Sequence, residues 1–444
     1  MGRSWIQQGN IDRVLLKLAI PAVIASLSEL MLNLGDTFWV SFLGDSSVAA
    51  LGAASYIIWI IFSLIDIVES SIISMISNQV GAGDGDSSNR IFVRLTVFFL
   101  ILFSALIVPG IMLSKAGLRA TGVETFVYQQ ASNYITVTFL FLPVMVIFYG
   151  IIAATQAHGN TRSPMEATIF SVVLNLILDP VLILFLKMDL TGLALASGIS
   201  RIIGIFYLWG KFRETSGFTF GILTSELKTK FLDLKSGIRA LKIGFPVSLG
   251  GISFSLIYFY ILKIVAKFGT DAVAAMAVGN RIEGITYLFG IGYYTAVATV
   301  VGQNMGSRNT DRVEKTVKRA LLHTAVFASI MGILFYFFPH IFGSLFLHQQ
   351  KSIEIFKHYL RINAFNQIPM IYHVVLEGAF VGIGRTLPNF VIPIPFWLMR
   401  IPLSLILAFN LGIGVDGVWW AMLITQTLST TMMMLWWKRL TRRL

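Results

Sequence analysis

The stretch "KLAIP" at residues 17–21 returns as "KIGFP" at 242–246, an offset of 225. The same offset carries Gly44-Asp45-Ser46-Ser47-Val48-Ala49-Ala50 onto Gly269-Thr270-Asp271-Ala272-Val273-Ala274-Ala275. It pairs Gly81 with Gly306, Tyr134 with Tyr359, Gly159 and Thr161 with Gly384 and Thr386, Gly192 with Gly417, and Ala196 with Ala421. Short apolar matches arise by chance. One register held nearly without gaps over some 180 residues marks a duplication.

What is duplicated follows from composition. Of 444 residues, 56% are hydrophobic and only 13% charged, about half the charge of an ordinary soluble domain. Twelve apolar runs reach the roughly 20 residues that a helix needs to cross a bilayer: 14–41, 49–79, 91–113, 126–155, 165–187, 192–211, 241–265, 272–302, 320–342, 356–382, 390–411 and 417–437. They lack the alternation of membrane strands. The fold expected is all-α and polytopic, twelve transmembrane helices in two six-helix repeats. Because 225 residues carry an even number of spans, both repeats enter from the same side and are parallel. This divides the chain into an N-terminal lobe (1–210), a hydrophilic cytoplasmic linker (211–240) and a C-terminal lobe (241–444).

The net charge of +12 reads as topology rather than as nucleic-acid binding. The loops on the side of the termini hold 23 Lys and Arg, whereas the opposite loops hold few, such as Lys115, Arg119 and Lys351. Positive residues stay inside, so both termini are expected in the cytoplasm. The polar start "MGRSWIQQGNIDR" is too long for a signal peptide. With no cysteine there is no disulfide or thiolate metal site. The turn "GAGDG" follows a membrane helix rather than a strand, so it is no nucleotide loop. Nothing points to ATP, to an enzyme's nucleophile and base, or to a bound cofactor. Two parallel bundles around a midplane site form a transporter architecture driven by an ion gradient.

"NLILDP" (175–180) places Asp179 as the one ionisable group in an apolar run. A carboxylate there costs about 2.5–3.5 kcal/mol on insertion scales, and a function must offset it. Asp36 in span 1 lies at a similar outward depth. Asn175, four residues before Asp179, shares its helix face. Two desolvated carboxylates with an amide neighbour can bind a proton or, by their oxygens, Na⁺. Pro180 and Pro21 are expected to bend spans 5 and 1. The repeat supplies a control: Asp36 maps to Ile261, Asp179 to Ser404 and Asn175 to Arg400. The frame is copied and the acids are not, so the acids are chemistry rather than scaffold. Weaker candidates are Glu29, Asp66, Glu69, Arg281, Glu283, Glu377 and Arg400. Glu283 and Glu377 are expected in ion pairs with Lys263 or Arg400, and His373 as a satisfied core residue.

These pieces together resemble one family. "LGDTFWVSFLG" (34–44), "NQVGAGD" (78–84), "ATQAHGNTRSP" (154–164), "NLILDP", "GNRIEG" (279–284) and "VGQNMGS" (301–307) resemble multidrug and toxic compound extrusion (MATE) transporters, in an order that covers the whole chain. The resemblance is closer to the DinF-like branch. It implies an antiporter exporting cationic or amphipathic compounds in exchange for H⁺ or Na⁺, in the plasma membrane of a prokaryote, as a monomer. It implies a cation-coupling site of Asp36, Asn175 and Asp179, also the Na⁺ ligands if Na⁺ is used, joined by Tyr134 and Ser197. It further implies bending of span 1 at Pro21. Phe254 stands where the NorM-like branch has a glutamate, and Glu29 where glutamine is common. The rival reading is a lipid-linked precursor flippase, for which Lys263, Arg281, Arg361 and Arg400 would suit an anionic headgroup.

Overall fold

The computed structural model describes residues 5–442 and is helical throughout, with no strand among them. Arg3 and Arg443, two of the charges on the side of the termini, lie outside that range. The first repeat comprises span 1 (Ile11–Ser41), span 2 (Asp45–Gly81), span 3 (Gly85–Ala120), span 4 (Thr125–Leu140 with Leu142–Ala157), span 5 (Arg162–Pro180 with Val181–Phe185) and span 6 (Asp189–Ser216). The second comprises span 7 (Leu234–Ala266), span 8 (Thr270–Gly306), span 9 (Thr310–Phe337), span 10 (Gln350–Ala364 with Gln367–Ile383), span 11 (Pro388–Val391, Pro393–Leu405 and Ile406–Asn410) and span 12 (Asp416–Thr441). Nine of these pass length and hydropathy tests for a span among the described residues, and the bent span 4 makes ten. Spans 10 and 12 complete the second repeat in register with spans 4 and 6.

The repeat holds down to its irregularities. Span 4 breaks at Phe141 with a 53° bend, just before Pro143, which has no N–H to continue the ladder. Span 10 breaks at the equivalent place, Phe365 and Asn366, ahead of Pro369. Spans 5 and 11 both widen into a π turn, Val181–Phe185 and Ile406–Asn410, 225 residues apart. Gly44 and Gly269 open spans 2 and 8 at φ +96° and +100°, a region closed to most side chains. Span 5 widens into its π turn directly after Pro180, and span 1 stays helical through Pro21. The helices also extend into the linker from both sides, leaving Gly217–Asp233 with a short helix at Phe220–Thr229. Arg94 of span 3 fastens it, pairing with Glu226 at 2.6 Å and Asp233 at 3.4 Å.

Packing does not follow the chain boundary between lobes. The half of span 1 nearest the N-terminus, including Val14, Leu15 and Leu18, is buried in a cluster with spans 8, 9, 10 and 12. Ala240 and Ile243 of span 7 join the main cluster of the first repeat. Small residues make these crossings close. A Cβ on Gly292 would strike Val23 and the Ala19 carbonyl, and one on Gly244 would strike the backbone of Ile67. On the face carrying the termini, Gly81 sits against the Gln303 carbonyl and Gly306 against that of Asn78. A short helix at Trp5–Gln8 straps this crossing: Gln7 Nε2 donates to Gly81 O at 2.8 Å and Arg312 Nη2 to Ile6 O at 2.9 Å. Outward-facing side chains such as Leu113, Phe185, Phe206 and Phe337 are exposed, forming the apolar belt that a lipid environment covers.

Candidate functional site

Inside the first repeat, spans 1, 2, 4 and 6 line a cavity of about 50 Å³ whose walls include Asp36, Tyr134, Ser197 and Arg201, with span 5 packed behind Asp36. Asn175 and Asp179, one helical turn apart on span 5, are fully buried and point at Asp36, which is 9% exposed. Gly35 lets span 1 approach, since a side chain there would overlap Leu176 of span 5. The Asp36 and Asp179 carboxyls lie within hydrogen-bonding reach of each other. The amide orientation of Asn175 is assigned from its neighbours. Its oxygen accepts from Ser197 N at 3.0 Å and Ser197 Oγ at 3.1 Å, and its nitrogen then donates to Asp179 Oδ2 at 3.0 Å and Asp36 Oδ1 at 3.3 Å. Asp179 Oδ1 is buried without a partner. A carboxylate oxygen in that state is costly, and a proton on one acid, donated to the other, relieves it.

The five residues expected to form the site are thus brought together. Two more belong to it and escaped the sequence reading. Arg201, one turn beyond Ser197 on span 6, is 8% exposed and donates to Ser197 O at 3.1 Å. Its guanidinium reaches the Tyr149 hydroxyl and lies in the field of Glu29 and Asp36. Tyr149 donates in turn to Glu29 Oε1 at 3.2 Å. The signal was there: an arginine in mid-span is a functional candidate by default.

The second repeat carries a polar pocket of different composition. Tyr359, the counterpart of Tyr134, donates to Glu283 Oε2 at 2.9 Å and to Asn280 Oδ1 at 3.0 Å, and Gln367 reaches Glu283 at 3.4 Å. Arg400 donates to Thr425 Oγ1 at 3.0 Å and to Gln426 at 3.5 Å. The ion pairs expected for Glu283 and Glu377 with Arg400 or Lys263 are not found among the described residues. Lys263 instead lies over the Phe259 and Tyr260 rings at 4.6 and 5.5 Å, where the ring faces stabilise it. His373 is not a satisfied core histidine either. Its ring nitrogens make no hydrogen bond, and Nε2 stands 3.4 Å from Glu377 Oε1. The cations that would suit an anionic headgroup are held apart: Arg361 donates to Tyr336 O at 3.4 Å, Arg400 is buried in its own pocket, and Arg281 and Lys263 are exposed.

A third group lies between the repeats. Asp66 and Glu69 of span 2, Glu377 of span 10, and Tyr287 and Tyr294 of span 8 share one electrostatic neighbourhood. Asp66 is exposed although it sits mid-span. That is the signature of a solvated wall between the lobes. Phe254 stacks on Tyr258 at 5.8 Å and meets Trp397 at 5.2 Å edge-on, filling its place with aromatic surface.

Comparison with known proteins agrees with this geometry. The family model named MatE matches residues 21–181 and again 246–406, two segments with the same 225-residue offset. "Probable multidrug resistance protein NorM" of Thermotoga maritima is 24% identical over 96% of this chain and 92% of its own length. "Multidrug export protein MepA" of Staphylococcus aureus is 23% identical over 97% and 94%, and the "FAD transporter" of Shewanella oneidensis 23% over 94% and 91%. Among solved structures, "MATE in the bent conformation" superposes with a TM-score of 0.91 at 21% identity, covering all of this chain and 98% of that one. An outward-facing multidrug resistance MATE transporter superposes at 0.86, also at 21% identity, with coverage of 100% and 98%.

Proposed function

The chain belongs to the MatE family, which matches it once per repeat, and from that premise we propose that it is a secondary antiporter exporting cationic or amphipathic compounds in exchange for H⁺ or Na⁺. It is a transporter and not an enzyme. The observation that carries the coupling is the meeting of Asp36, Asn175 and Asp179 in one buried pocket of one repeat, with the counterpart positions occupied by Ile261, Arg400 and Ser404.

Coupling requires that the loaded and unloaded pocket favour different arrangements of the two lobes. Asp36 is suited to this, because it joins span 1 to span 5 while the other half of span 1 is packed in the second repeat. A cation arriving at Asp36 changes the attraction between spans 1 and 5. Span 1 carries that change to the interface, and the lobes rock about it. The solvated acids Asp66, Glu69 and Glu377 supply a negative wall for a cationic substrate, and aromatic faces nearby add to it. Positive-inside reasoning puts both termini in the cytoplasm of a prokaryotic cell and the protein in its plasma membrane. A single chain contains both repeats and serves as a monomer.

Efflux of a fluorescent cationic dye from proteoliposomes tests this, with a proton gradient and a sodium gradient imposed in turn. Asp36→Asn and Asp179→Asn should each abolish gradient-driven efflux while the protein remains folded in the membrane. Full activity in either variant overturns the assignment.

A further inference from the structure

We propose that Arg201 and the backbone of span 6 exclude Na⁺ from the Asp36–Asp179 pocket, so that the exchanged ion is the proton. This rests on the antiport reading for the exchange, and on the pocket's geometry for the choice of ion.

A hard monovalent cation needs a shell of oxygens, supplied in transporters by carboxylates and free carbonyls. Here the Asn175 amide oxygen and the Ser197 carbonyl oxygen are already taken. The atom of the Asn175 amide that lies 3.0 Å from Ser197 N must be its oxygen, because a backbone N–H can only donate. The amide therefore turns its NH₂ towards Asp179 and Asp36, filling with hydrogens the place where a sodium ion would sit. The Ser197 carbonyl accepts from Arg201 Nη1 at 3.1 Å. The guanidinium is itself a fixed positive charge in the pocket's lining, held by Ser197 O and the Tyr149 hydroxyl within the field of Asp36 and Glu29. At an effective dielectric near 20, a unit charge about 6 Å away weakens Na⁺ binding by roughly a hundredfold. The same charge opposes a proton equally, so the choice between the ions rests on the oxygen shell, of which a proton needs none. It needs one carboxylate lone pair, and the two acids already stand within hydrogen-bonding reach of each other.

The duplication sharpens the point. In the second repeat the position of Asn175 is Arg400 and that of Arg201 is Gln426, so each pocket holds one guanidinium and one amide with their places exchanged. Both guanidinia are buried and bonded to their own lobe. In the first repeat neither the Asn175 amide oxygen nor the Ser197 carbonyl is left free to join a sodium shell.

The test is an equilibrium Na⁺ titration of the purified full chain against choline at constant ionic strength, read by ²²Na⁺ binding and thermal unfolding. Wild type is expected to show no saturable Na⁺ binding and no Na⁺-specific stabilisation up to physiological salt. Arg201→Gln, which removes the charge and adds an oxygen, should gain Na⁺ binding by roughly a hundredfold, and lose it again when Asp36→Asn is added. Saturable wild-type binding that disappears in Asp36→Asn overturns the proposal. A folded Arg201→Gln still blind to Na⁺ overturns the role of Arg201, and the wild-type titration decides alone if that variant fails to fold. Absence of Na⁺ binding together with no dye movement on a proton gradient would instead sink the antiport reading and leave the exclusion standing.

Discussion

Tyr134 and Tyr359 stand at the same place in the two repeats, 225 residues apart, and each faces its own lobe's buried acid: Tyr134 lines the cavity of Asp36, and Tyr359 donates to Glu283 at 2.9 Å. The tyrosine is kept while the acid moves, from spans 1 and 5 in one repeat to span 8 in the other. One frame thus hosts two chemistries, and they separate by experiment.

Tyr359→Phe removes one of two bonds to Glu283 and leaves the weaker one from Gln367 at 3.4 Å. The loss of a partner from a buried acceptor costs about 1–3 kcal/mol. We expect a lower unfolding temperature in detergent with proton-driven efflux retained. Unchanged unfolding with lost efflux would place ion chemistry in the second repeat.

Asn175→Leu preserves the volume of the side chain and removes its donors. Asp36 and Asp179 lose the amide that bridges spans 1 and 5 at 3.3 and 3.0 Å. The variant has both titratable acids and yet should fall at least tenfold in coupled efflux, because the link between the spans is broken. Near-normal exchange would reduce Asn175 to a packing residue.

Much of this was legible beforehand because it depends on local chemistry and on a repeat. The turns at Gly44 and Gly269 follow the 225-residue offset, and an aspartate in an apolar run announces itself, whereas the breaks of spans 4 and 10 interrupt runs that read as continuous. What was not legible depends on partners distant in sequence. Arg201 gains its meaning from Tyr149, Glu29 and Ser197 O, and no spacing within span 6 encodes them. The pairings guessed for Glu283 failed for the same reason: opposite charges in one lobe were assumed to meet, whereas Tyr359 and Gln367 satisfied the acid and aromatic rings took Lys263. The crossing of span 1 into the second repeat's core was likewise invisible, since apolar runs carry no address.

Arg312→Ala frees the strap at the face of the termini. Arg312 holds the Ile6 carbonyl at 2.9 Å and Gln7 bonds Gly81, so the segment clasps spans 2 and 9. Its loss should raise hydrogen exchange at residues 5–9 and reduce efflux severalfold, with thermal stability changed by about 1.5–3 kcal/mol, the usual range for a charged hydrogen bond. Exchange unchanged at 5–9 would show that Gln7 alone suffices.

Gly306→Val tests the crossing that the strap covers. Gly306 lies against the Asn78 carbonyl and Gly81 against that of Gln303, so any side chain at either position must push spans 2 and 8 apart. Neither contact involves a flexible side chain that could swing aside; both are backbone on long helices. Ser77, fully buried beside Gly302, reports the separation. Because the chain has no cysteine, Ser77→Cys provides a single thiol. In the parent it should resist a membrane-impermeant maleimide applied from the face of the termini, and with Gly306→Val it should label readily. Efflux should fall at least tenfold in the same variant, since alternating access requires this face to close. Labelling unchanged by the valine would mean that the helices absorb it elsewhere and that the crossing is not the barrier on this side.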